Sequence, residues 1–232
     1  MPGPLETEEC VKQLADGLYL LRGFPPNAIN VYLAEDVLID AATKQAKGRI
    51  MRQLRDRTVT AHALTHAHPD HQGASHAICE RLQIPLWCGE GDVYAMQTPG
   101  GIANSQAPGW LNSFQKRFWT GPPHPVARAL KEGDEVAGFA VLEVPGHSAG
   151  HVAYWRESDR VLILGDVLNG MNLMTGRRGL QEPPAVFTPD PARNRQSARR
   201  LAELDPALIC FGHGPPLRDP RALREFIATL PD

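Results

Sequence analysis

Thr65-His66-Ala67-His68-Pro69-Asp70-His71 places four potential metal ligands within six residues. The run follows an apolar segment, Val59-Thr60-Ala61-His62-Ala63-Leu64, and precedes a helical pattern from about Gln72 to Leu82 that opens on Gly73 and Ala74. The expected local structure is a strand, a tight loop carrying every ligand, and a helix start where small residues permit close approach. Neutral imidazoles with a carboxylate suit zinc, and also iron or manganese. A purely structural role fits badly, because exposed imidazoles packed this densely repel one another when protonated.

The rest of the chain limits what this motif can serve. At 232 residues, the sequence is read as a single domain over 1–232, with an insert or lid at 90–125. A formal charge of −2 provides no basic field for nucleic acid or an anionic membrane. No apolar run approaches the length of a membrane span. The acidic, Pro-rich start (Met1 to Glu9) has neither the basic nor the apolar region of a signal peptide, so a cytoplasmic location is expected. Cys10, Cys79, Cys88 and Cys210 are scattered and read as reduced, mostly buried thiols.

Leu18–Leu21, Ile29–Leu33 and Val37–Asp40 read as a meander of strands. Thr43 is placed to cap a helix running to about Arg55, and Ile84–Cys88 forms a further strand. The stretch from Glu90 to Pro125 is punctuated by Pro and Gly and rich in Trp and Phe. Either its aromatics pack on the body, or it forms a lid or wall over a site. A second run of strands, ending at Gly165-Asp166, is followed by a loop-like, Gly- and Pro-rich stretch, 169–188. Two helices are expected to begin at Asp190-Pro191 and Asp219-Pro220, with the strand Ala207–Phe211 between them.

On this map the remaining candidate ligands recur at strand ends beside glycine: His147 after Gly146, Asp166 after Gly165, and His213 between Gly212 and Gly214. Five of the nine histidines fall in the combined set. His62, His76 and His124 carry no expectation beyond packing or local hydrogen bonding. His151 is expected to hydrogen-bond the loop that holds His147.

The His-x-His-x-Asp-His run, the later Gly-His, the Gly-Asp after an apolar strand and the final Gly-His together resemble the metallo-β-lactamase fold superfamily over nearly the whole chain. The resemblance implies an α/β fold, a four-layer αββα sandwich with metals at one edge of two sheets. It implies that His66, His68 and His147 hold one metal, that Asp70, His71 and His213 hold a second, and that Asp166 bridges them. The implied cofactors are two zinc ions, with iron or manganese as alternatives. It further implies that Asp40 supports the histidine loop from behind, a plain turn or cap being the alternative reading. Paired metals share and acidify a water and polarise a carbonyl or phosphoryl oxygen. Asp70 is then placed to orient that nucleophile or pass a proton to the leaving group.

Within the superfamily the expected reaction is cleavage of a small ester, thioester or lactone, in the glyoxalase II and lactonase-like branch. The aspartate at Asp166 argues against β-lactam hydrolysis as the main activity. A single predicted helix follows His213, where glyoxalase II has a helical glutathione-binding extension. Asn169 stands where the lactonases carry a tyrosine. The alternatives are an iron-dependent oxidoreductase of the persulfide dioxygenase type, and a phosphodiesterase or ribonuclease. The expected partner is a small-molecule substrate, with room left for a homo-oligomer. Arg177-Arg178 reads either as a grip for an anionic substrate or as a solvated loop pair.

Overall fold

The computed structural model describes residues 11–102, 109–173 and 175–231, apart from the side chain of Leu111. The first half builds a seven-stranded sheet in chain order: β1 (Val11–Ala15), β2 (Leu18–Leu21), β3 (Val31–Ala34), β4 (Val37–Ile39), β5 (Ala61–Ala63), β6 (Leu86–Gly89) and β7 (Val126–Leu130). The pairings are antiparallel up to β4 and parallel from β4 to β7. The parallel strands are joined by the helical segments α1 (Lys47–Gln53), α2 (Pro69–Gln72), α3 (Ser75–Leu82), α4 (Val93–Gln97) and α5 (Trp110–Phe118).

The second half forms a five-stranded sheet from β8 (Glu135–Val136), β9 (Phe139–Glu143), β10 (Val152–Arg156), β11 (Val161–Gly165) and β14 (Leu208–Phe211). A hairpin, β12 (Asn169–Met171) with β13 (Arg178–Gln181), and the helices α6 (Pro191–Glu203) and α7 (Pro220–Ala228) complete it. Side chains alternate across the strands, as a period of two requires. Val37 and Ile39 of β4, with Val161 and Ile163 of β11, enter the core between the sheets. Leu38 turns outward to Ile50, Leu54 and Ile78 of the first helical layer, and Leu162 and Leu164 turn to Ala198, Leu201 and Leu223 of the second. The result is the expected αββα sandwich. Each fully buried Leu, Ile or Val contributes about 1.5–3 kcal/mol relative to exposure.

Several local expectations are corrected. The helix after the histidine motif is two pieces, α2 and α3, and Asp70 and His71 lie in the first turn of α2 rather than on the loop. Thr43 makes no side-chain cap, and a 3-10 turn (Lys44–Ala46) intervenes before α1. Residues 169–188 are not loop throughout, since they contain β12, β13 and a 3-10 turn at Ala185–Phe187. Asp190 and Asp219 do cap α6 and α7, accepting from the backbone of Arg193 and of Arg221 and Ala222. Gly73 does permit a close approach: a Cβ there would stand 2.4 Å from both the Lys44 nitrogen and the Trp119 carbonyl oxygen. Cys79, Cys88 and Cys210 are buried free thiols, and Cys10 lies outside the described residues.

Candidate metal centre

Each candidate ligand sits where its strand has just ended. His66 and His68 follow β5, and proline at the start of α2 sets Asp70 and His71 into the next turn. His147 lies between β9 and β10, Asp166 directly follows β11, and His213 follows β14. All seven side chains converge and all are buried. Asp166 is at the middle. Its Oδ2 lies 3.0 Å from His213 Nε2 and 3.6 Å from His147 Nε2, and its Oδ1 lies 3.5 Å from His71 Nε2. Asp70 Oδ2 stands 3.3 Å from His213 Nε2. His66, His68 and His147 form a second knot, with ring centroids 4.5–4.8 Å apart.

The surroundings fix which nitrogen faces inward in four of the rings, those of His66, His71, His147 and His213. His71 Nδ1 lies 2.9 Å from Asp40 Oδ2, and His213 Nδ1 contacts the Ala28 carbonyl. Both partners only accept, so both Nδ1 atoms donate. The Thr188 hydroxyl donates to Pro184 O and therefore accepts from His147 Nδ1 at 3.0 Å. The Thr65 hydroxyl donates to Asp40 and is placed, at 3.1 Å, to accept from His66 Nδ1. Such partners orient an imidazole so that its Nε2 lone pair is free for a metal.

The Nε2 atoms of His66, His68, His71 and His147, and Oδ1 of Asp166, are buried without a hydrogen-bond partner. Leaving one such group unsatisfied costs roughly 1–3 kcal/mol, so this concentration of them is a donor set suited to a cation. Three overlapping groups, His66/His68/His147, His66/His71/Asp166 and Asp70/His71/His213, each bring their ligand atoms within 4.8 Å of one another. The residues present fit a metal centre.

The electrostatics divide the site. Burial, helped by neighbouring histidines, pushes His66 and His147 well below the ordinary imidazole range. Burial also lowers His71, but Asp166 and Asp40 outweigh it and hold this histidine well above that range. Burial likewise opposes the charged form of His213, yet Asp166 and Asp70 raise it to about 10. One side of the site thus offers bare lone pairs. On the other side a cation would take the place of protons held between imidazole and carboxylate.

The structure adds residues that the sequence did not single out. Asp92, only 2 % exposed, accepts from Ala67 N at 2.9 Å, Ser148 Oγ at 2.8 Å and Gly150 N at 2.9 Å. It ties the first histidine loop to the loop that carries His147. It lies at the start of the 90–125 stretch, where its carboxylate is buried against both loops. Thr188 was missed too, since nothing in sequence marks a threonine so far along the chain as the partner of His147.

Asp40 accepts from Thr65 N and Oγ1 as well as from His71. His151 takes a hydrogen bond from Asp166 N at 3.3 Å and lies outside the three ligand groups. The glycines beside the ligands leave room for other side chains more than for an ion. A Cβ on Gly212 would fall 2.0 Å from Asp166 Oδ1, and one on Gly165 would fall 2.5 Å from His151 Nε2.

Above the ligands opens a cavity of about 300 Å3. His68, Asp70, His147, Asp166 and His213 form part of its lining, with Phe114, Trp119, Leu173, Pro184 and Phe187 as apolar walls and Gln115, Asn169, Asn172 and Gln181 as polar ones. Arg177 and Arg178 do not line it and instead border a separate surface depression. None of the described helices is long and apolar enough to cross a membrane.

Comparison with known proteins agrees with this geometry. The chain is 28% identical over 208 residues to the probable metallo-hydrolase YflN of Bacillus subtilis (strain 168), covering 78% of this chain and 76% of that protein. It is 32% identical over 189 residues to a hydroxyacylglutathione hydrolase of Bdellovibrio bacteriovorus, covering 75% of this chain and 60% of the relative. Among solved structures, TTHA1623 in a di-iron-bound form superposes with a TM-score of 0.60 at 29% identity, over 90% of this chain and 93% of that one. The family model described as the metallo-beta-lactamase superfamily matches residues 24–213, a span that includes every one of the seven converging residues. The chain is a member of the metallo-beta-lactamase superfamily.

Proposed function

We propose that the protein is a dinuclear metal hydrolase of a small, largely uncharged ester, thioester or lactone. The observation that carries this reading is the junction of two features: a buried, partnerless donor set and a cavity above it whose walls are mainly apolar. Among the described lining residues there is no lysine or arginine to neutralise a polyanion. An acyl compound with an apolar portion suits such walls better than a nucleic acid does.

His66, His68 and His147 would hold one metal, Asp70, His71 and His213 the other, and Asp166 would lie between them. When bound, paired metals lower the pKa of water and polarise the scissile carbonyl. The protein's own contributions are distinct from that chemistry. Asp70 lines the cavity and offers a carboxylate oxygen to orient a nucleophile or take up a proton. Asn169 is buried, its side-chain oxygen has no partner, and it lines the same cavity. Its amide can bind the substrate's polar group. Phe114 and Trp119 form a wall that excludes water, and this is the sense in which 90–125 would act as a lid.

The relative named hydroxyacylglutathione hydrolase supports the thioester class. The di-iron form of TTHA1623 keeps iron beside zinc as the resident ion. The test is turnover of a panel of thioesters, lactones, aryl esters, phosphodiesters and a cephalosporin, with metal content measured on the same protein. Preferential acyl cleavage with about two ions held at the cavity is expected. Preferred turnover of phosphodiesters, or oxygen consumption with iron, would overturn it.

A further inference from the structure

A second convergence of ligating side chains lies outside the cavity. His76 and Glu80 stand four residues apart on α3 and so share one face of that helix. His124 follows Pro122-Pro123 at the end of the 90–125 stretch, where its backbone N–H donates to Met96 O at 2.8 Å. That bond fixes His124 against α4. The Nδ1 atoms of His76 and His124 are 3.2 Å apart, and Glu80 Oε1 is 3.9 Å from His124 Nδ1. One ligand atom from each of the three residues lies within 4.8 Å of the others.

We propose that His76, Glu80 and His124 form a separate site for a divalent transition metal, zinc by donor type, that clamps the return of the 90–125 stretch onto α3. Tetrahedral zinc with bonds of about 2.0–2.1 Å requires its ligand atoms roughly 3.3 Å apart. The two imidazole nitrogens already meet that spacing. Glu80 is the adjustable member: its side chain is 60% exposed and closes the remaining gap by rotation. His124 is buried and His76 half-buried, so the ion would be seated between helix and loop with one position open to water.

Two imidazoles and a carboxylate are a common zinc donor set. The two nitrogens lie within hydrogen-bond distance of each other, whereas the carboxylate stays too far away to hydrogen-bond. The site is independent of the hydrolytic reading, because none of the three residues lines the cavity. It bears on the cavity indirectly. The chain between α4 and His124 carries Phe114, Gln115 and Trp119, so a clamp at His124 anchors the end of the segment that builds this wall.

The test is zinc binding to metal-depleted full-length protein, followed by calorimetry. Wild type is compared with His76→Gln, Glu80→Gln and His124→Asn, with circular dichroism as a check on folding. Each folded variant is expected to bind one zinc fewer per chain than wild type, and the thermal gain from the last equivalent of zinc should vanish with it. Anomalous scattering from a zinc-soaked crystal should place a peak between the three side chains. If at least one folded variant matches the wild-type stoichiometry, or the crystal has no peak at these residues, the site is overturned. The count at the cavity is read in the same titration. Loss of the outer ion alone, or of the cavity ions alone, therefore separates this proposal from the functional one.

Discussion

Asp40 Oδ2 lies 2.9 Å from His71 Nδ1, while the same carboxylate accepts from the backbone and hydroxyl of Thr65. One buried side chain at the end of β4 thereby orients the candidate ligand at one end of the histidine motif and anchors the other. Asp40 has φ +60, a conformation that asparagine tolerates. Asp40→Asn should therefore leave the fold intact. We expect metal affinity to fall about 10- to 100-fold, as when a ligand's supporting partner is lost. Chelator competition on the folded variant measures this directly.

Asp92 is the corresponding brace on the other side. Asp92→Ala would orphan the buried donors of Ala67, Ser148 and Gly150. The expected loss is about 3–5 kcal/mol of stability, read from urea midpoints with the metal content held equal. A change below about 1 kcal/mol would show that water replaces the carboxylate.

Asp70→Ala should reduce turnover by at least about 10³-fold and leave one tightly held metal at the cavity instead of two. Retention of wild-type turnover would remove Asp70 from the reaction.

Trp119→Ala should raise KM for apolar acyl substrates about 10-fold with little change in kcat, since the wall binds substrate and transition state alike. For a short acetyl substrate, which reaches less of the wall, the effect should shrink. Equal losses on both would argue for a structural role instead.

A pH effect is tied to His62, which is fully buried between the Leu38 carbonyl and the Ser75 hydroxyl. Burial lowers its pKa from 6.5 to about 4. The unfolded chain takes up this proton first as pH falls. Stability from a neutral His62 is therefore complete above pH 6.5 and is lost progressively on the way to about pH 4. The full loss is roughly 3 kcal/mol. In His62→Gln, unfolding curves of the metal-loaded protein should show a shallower decline over that window.

Most of the site's raw material was legible in the sequence because ligands cluster at strand ends, and strand ends can be read from apolar runs that stop at glycine. His66 to His71 also announced themselves by density. Asp92 and Thr188 were silent because their roles depend on tertiary approach: their partners, Ser148 and His147, lie far away in sequence. His76, Glu80 and His124 illustrate the same limit. The first two share a helix face by spacing alone, but only the path of the chain back from α5 brings His124 beside them. In the fold, the break between α2 and α3 is not legible in sequence because Gly73 reads as part of a helix start. Its actual constraint is the Lys44 and Trp119 backbone pressed against it.

The candidate ligand set is divided between the two sheets: His66, His68, Asp70 and His71 follow a strand of one, while His147, Asp166 and His213 belong to the other. Neither half holds the full set, so the centre cannot exist before the halves have docked. Metal uptake at these residues would then be a gauge of completed folding. A chain arrested with one sheet formed would offer only a partial, weaker nest of ligands, and the cation, arriving last, would lock the sandwich shut.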